Sequence, residues 1–183
     1  MSQLSRLGRN AIVLSLADEL KTAGSWCGET HLQKAVYLLQ ELTRVPLGFD
    51  FILYKHGPFS FDLRDELTAM RADYQLQIRA NPIPYGPTLV TTEIGEKLQM
   101  RQSFAVEKHR KKIDFVAEHL GSKSVTDLEQ LGTAYYVKKE DYSRSLGQVA
   151  RRVNELKPHI PMDVAREAAV GIDEIIAAYN SAT

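Results

Sequence analysis

The sequence predicts a mainly α-helical chain with one small β-hairpin. Three observations carry that expectation. Apolar residues recur at helical spacing over most of the 183 residues. Two short β-rich stretches, Leu76–Ala80 and Thr88–Thr92, flank the Pro/Gly-rich tip "NPIPYGP". From residue 104 onward the pattern is helical throughout.

Residues 7–23 read as a helix, with Ile12, Leu16 and Leu20 on one stripe and Gly24 as the stop. Thr30 and Gln33 have the spacing of a capping box opening a second helix. Its apolar face is Leu32, Ala35, Val36, Leu39 and Leu42, and its polar face Gln33, Tyr37, Gln40, Glu41 and Arg44. Pro46 and Gly48 end it. "FDFILY", 49–54, is short and rich in aromatic and β-branched residues, so it reads as extended. Ser60 caps a third helix carrying Leu63, Leu67 and Met70; the hairpin follows, and Thr92 caps the next helix.

Helix, helix, extended segment, helix, hairpin, helix is the order of a winged helix-turn-helix. The sequence therefore divides into a winged-helix-like domain at 1–103 and an α-helical domain or extension at 104–183. The second part holds helices near 104–120, 125–139, 144–156 and 162–180. The last of these is Ala-rich, with Val164, Ala168, Ile172, Ile175 and Tyr179 on one stripe.

Composition restricts function more than it assigns it. The chain is 44% hydrophobic and 25% charged with zero net charge, which argues against a strongly basic nucleic-acid binder. A lone Cys27 excludes an intrachain disulfide and a cysteine-rich zinc site. No apolar run approaches a membrane span, and no signal-peptide hydrophobic stretch opens the chain, so the expectation is a cytoplasmic protein without a membrane partner. Glycine-rich phosphate loops, HExxH and nucleophile–base spacings are absent. The expectation is therefore a non-catalytic protein without metal or cofactor.

Three places invite a functional reading. In "YKHGPFS", Gly57 allows positive φ and Pro58 is restricted, so Lys55–Pro58 reads first as a rigid turn aiming the third helix. Alternatively Tyr54, Lys55 and His56 sit beside that helix's N-terminus and meet an anionic group of a partner. His56 as a general base lacks an orienting partner and a nucleophile in the sequence pattern. The second place is the hairpin tip, where Ile83 and Tyr85 put apolar area on a loop; with Tyr37 of the second helix they form a partner surface, unless the tip packs back on the later helices. The third is basic. Residues 101–157 carry 12 Lys/Arg against 8 Asp/Glu, and Lys108, Arg110, Lys111 and Lys112, joined by Arg151 and Arg152, are the candidates for a weak nucleic-acid contact. The third helix itself, with Asp62, Asp65 and Glu66 against Arg64 and Arg71, is badly equipped to approach phosphates.

The run "HLQKAVYLLQELTRVPLGFDFILYKHGPFSFDLRDELTAM", 31–70, resembles the Panacea family and related YwgA-like proteins, through Leu32, Gln33, Lys34, Tyr37, Tyr54, His56, Gly57 and Pro58; "TLVTTEIGEKL" fits the hairpin-to-helix exit of that fold. The resemblance covers roughly the first hundred residues. It implies a small non-catalytic protein, in several cases the antitoxin of a toxin–antitoxin pair, with some relatives phage-associated. The favoured expectation is thus a protein-binding module, antitoxin-like or an adaptor in a phage-related or defence context, with a toxin among the candidate partners and homo-oligomerisation left open. The alternative is a DNA-binding transcriptional regulator using the basic helical surface.

Overall fold

A computed structural model describes residues 4–82 and 86–182. They form eight helices and two small antiparallel hairpins: α1 (Arg6–Thr22), α2 (Glu29–Glu41), β1 (Ile52–Tyr54), β2 (Gly57–Phe59), α3 (Phe61–Ala72), β3 (Leu76–Arg79), β4 (Thr88–Thr91), α4 (Glu93–Arg101), α5 (Ser103–Leu120), α6 (Val125–Glu140), α7 (Leu146–Leu156) and α8 (Met162–Ala182). The chain divides into two compact units, residues 1–51 with 60–123, and residues 52–59 with 124–183.

In the first unit α1 is central, packing on α2, β4, α4 and α5. Ser5 caps it by accepting from the Gly8 amide, and Ala11 to Leu14, Leu16, Ala17 and Leu20 are fully buried. α3 follows its expected cap, with the Ser60 hydroxyl accepting from the Leu63 amide and Leu63, Leu67 and Met70 inward. β3 and β4 pair in the register Leu76↔Thr91 to Arg79↔Thr88, and the Thr92 hydroxyl caps α4.

α2 departs from its expected form. Gly28 is the N-cap and no side chain caps the helix, so the Thr30–Gln33 capping box does not form. Gln33 is instead fully buried, and its amide exchanges two hydrogen bonds with the Ser60 backbone: Nε2 donates to the carbonyl and Oε1 accepts from the N–H, both at 3.0 Å. Two turns on, Gln40 does the same to Phe49, both bonds at 2.8 Å. Residues that look polar in the helical pattern therefore clamp the backbone on either side of residues 52–59. Buried backbone groups need partners, and an amide side chain supplies donor and acceptor together. Tyr37 is likewise corrected: it is 1% exposed, with its ring 5.1 Å from that of Phe51, and offers no outward anchor.

The two units divide at 51/52, 59/60 and 123/124, which places residues 104–123 with the first unit. The cause is α5, whose Val106, Ile113, Val116, Ala117 and Leu120 are buried and which packs on α1 and α2. Arg110 of α5 pairs with Glu19 at 3.0 Å and the Lys112 ammonium donates to the Thr43 carbonyl at 2.6 Å.

The second unit contains a hairpin absent from the expected elements. Ile52↔Phe59, Leu53↔Pro58 and Tyr54↔Gly57 pair around the two-residue turn Lys55-His56. The turn lacks the Asn-Gly or Asp-Gly signal that would have announced it. β2 packs on α6. Capping boxes open α6 (Ser124 with Asp127) and α7 (Ser145 with Gln148). α8 packs on both through Ala165, Ala168, Ala169, Ile172 and Ile175; Val164 and Tyr179 of the expected stripe are half-buried. No helix among the described residues is long and apolar enough to cross a membrane.

Candidate functional site

In the second unit His56, Glu129, Lys157 and His159 meet at the β1–β2 turn. Gly57 has φ +83°, the left-handed conformation expected of it, and a β-carbon there would meet the Glu129 carbonyl oxygen of α6 at 3.2 Å. The turn thus lies close against the α6 backbone, which brings His56 to the Glu129 side chain.

Glu129 is 8% exposed, yet both its oxygens are used. Oε2 lies 3.4 Å from His56 Nδ1 and Oε1 lies 3.0 Å from His159 Nε2. A carboxylate only accepts, so those two ring nitrogens carry the protons, and each imidazole is fixed in one tautomer. Lys157 follows α7 and is 7% exposed. Its ammonium donates to the carbonyls of Tyr54 and Lys55, the latter at 2.6 Å, and lies 4.0 Å from Glu129 Oε1. Burial pushes this lysine below its ordinary pKa, and the Glu129 carboxylate pulls the other way. Buried carboxylate and buried ammonium compensate each other while one pins the imidazoles and the other the turn backbone.

The imidazoles themselves stay open, with side chains of His56 58% and His159 60% exposed. Lys55, His56, Leu156, Lys157, Pro158 and His159 line an open cleft of about 440 Å³. The arrangement can present fixed imidazoles, and a Lys55 ammonium without a partner among the described residues, to a ligand or a partner.

The turn residues Tyr54, Lys55 and His56 are all exposed, and the Tyr54 ring rests 5.7 Å from that of Phe59. Sequence reasoning missed Glu129, Lys157 and His159. His56 is 73 residues from Glu129 and Lys157 is 102 residues from Lys55, so no local spacing connects them. The only signal was "KPHIP", whose prolines frame a stiff loop.

Elsewhere the candidates are scattered. Ile83 and Tyr85 lie outside the described residues. Of the basic set, Lys108 and Lys111 are exposed, but Arg110 is committed to Glu19, Glu107 and Asp114, and Lys112 to Thr43. In the second unit Arg152 pairs with Glu155 at 3.1 Å, and Arg151 is exposed. On α3, Arg64 lies over the Phe61 ring and pairs with Asp65, while Glu66 takes Arg6, Arg9 and Asn10. That leaves α3 with little uncompensated positive charge. Among the described residues no group of three or more His, Cys, Asp or Glu is placed to hold a metal ion. The sequence matches no protein-family model and no curated protein.

Proposed function

We propose that the chain is a non-catalytic protein-binding module, antitoxin-like or an adaptor in a phage-related or defence context, cytoplasmic, with its first unit folded as a winged helix. The resemblance of residues 31–70 to the Panacea and YwgA-like proteins motivates the setting. The observation that carries the binding role is the β1–β2 turn. Tyr54, Lys55 and His56 are exposed on a turn whose backbone is held by the buried Lys157 and whose His56 imidazole is held by the buried Glu129. A recognition element fixed in advance loses less conformational entropy on docking, and an aromatic, a cation and an imidazole together suit an interface anchor.

Affinity capture from the native host, comparing wild type with the triple variant Tyr54→Ala, Lys55→Ala, His56→Ala, tests this. A specific protein enriched by the wild type and lost with the variant, with the variant still cooperatively folded, is the expected result. Enrichment insensitive to the triple change would remove the turn from the interface, and retention of nucleic acid alone with a steep salt dependence would reverse the assignment in favour of the DNA-binding alternative.

A further inference from the structure

The cleft beside the β1–β2 turn has a charge balance that the turn's architecture does not require. Glu129 is satisfied from three sides, by His56, His159 and Lys157. Its negative charge faces inward. The open side is lined by Lys55, whose ammonium has no partner among the described residues, and by the exposed imidazoles of His56 and His159. Two ammonium groups against one buried carboxylate leave the cleft positive before either imidazole takes up a second proton. Each imidazole already gives one ring N–H to Glu129. A protonated ring has a second N–H to direct outward at an anion. Leu156 and Pro158 add an apolar wall.

We infer that this cleft is a binding site for an organophosphate of nucleotide size, its phosphoryl oxygens taken by His56, His159 and Lys55 and its organic body resting on Leu156 and Pro158. The volume of about 440 Å³ lies within the range of small-ligand sites. A divalent metal ion would demand neutral imidazoles and would be repelled by Lys55 and Lys157, so the charge around the cleft favours the anion. The inference does not rest on a protein partner and is tested on the free chain.

The experiment is calorimetric titration of the full chain with sulfate, which stays dianionic, at pH 5.5 and 7.5, and with AMP and adenosine at pH 5.5. A protonated imidazole donates to an anion from both ring nitrogens and a neutral one from a single nitrogen, so sulfate should bind more tightly at pH 5.5 than at 7.5. AMP should bind more tightly than sulfate, and adenosine without its phosphate should not bind measurably. His159→Gln and Lys55→Ala should each weaken sulfate and AMP at least about tenfold; Lys55→Ala should leave the melting temperature unchanged, and His159→Gln should leave the chain folded, since a side-chain amide can still donate to Glu129. The inference falls if sulfate does not bind at pH 5.5, or if binding tightens as pH rises. It falls equally if His159→Gln and Lys55→Ala leave affinity intact, or if Lys108→Ala with Lys111→Ala abolishes it.

Discussion

Gly57→Ala is the most direct probe of the site's architecture, because two costs can be separated there. The first is conformational. At φ +83° an L side chain is strained by roughly 1–2 kcal/mol. The second is steric: the new β-carbon would sit 3.2 Å from the Glu129 carbonyl oxygen and 3.4 Å from Thr133 Oγ1. That carbonyl cannot easily retreat, since it lies within α6 and already accepts from the Thr133 hydroxyl at 2.7 Å. Relieving such a contact by shifting backbone costs about 1–3 kcal/mol more. Gly48 supplies the control. It has φ +74° and nothing within 4 Å of the β-carbon that alanine would add, so Gly48→Ala carries the conformational cost alone. Urea denaturation followed by circular dichroism should therefore show a larger loss for Gly57→Ala by about 1 kcal/mol or more. His56→Ala should cost at most about 1 kcal/mol, since the imidazole is largely exposed and its bond to Glu129 is long at 3.4 Å. Equal losses at the two glycines would refute the close approach of the turn to α6.

Three further outcomes follow from other parts of the structure. His31 is 1% exposed, and burial holds its pKa down to about 4 against an ordinary 6.5; the Leu120 carbonyl opposes this, though no hydrogen bond of normal geometry reaches Nε2. The folded state favours neutral imidazole, so the cost is absent above pH 6.5 and grows to about 3 kcal/mol as pH falls towards 4. His31→Gln should remove that portion of the acid destabilisation; His109, also held down by burial and by Lys112 and Lys108, keeps its own. An imidazole resonance of His31 titrating near 6.5 by NMR would contradict the reading. Gln33→Ala should destabilise by roughly 2 kcal/mol or more, since the buried Ser60 N–H and carbonyl lose a shared partner. Thr30→Ala, at a residue that caps nothing, should stay within about 0.5 kcal/mol, and comparable melts for the two would restore the capping box. If duplex DNA is bound at all, Lys108→Ala with Lys111→Ala should abolish binding and reduce its salt slope, whereas Arg64→Ala and Arg71→Ala should not; filter-binding across a salt series decides it.

The sequence by itself determined the elements whose signals are local. Ser60 and Thr92 cap their helices as their side-chain chemistry dictates, and Leu63, Leu67 and Met70 turn inward at helical spacing. Leu76–Arg79 pairs with Thr88–Thr91 around a Pro/Gly tip, and Gly57 takes the positive φ that its lack of a β-carbon permits. Periodicity, caps and breakers act over a few residues, so they can be read from a few residues. What tertiary structure alone decided is where polar side chains place their hydrogen bonds. Gln33 fits a capping box in sequence, but Ser60, 27 residues away, offers a buried backbone N–H and carbonyl, and satisfying both stabilises more than an exposed cap. Tyr37 belongs by spacing to a polar face that is buried in the folded chain. Arg110 and Lys112 form a basic run with Lys108 and Lys111 until Glu19 and the Thr43 carbonyl claim them. The cluster of His56, Glu129, Lys157 and His159 has no sequence signature, because its members come from a turn, a helix and a loop that only the packing of β2 on α6 brings together.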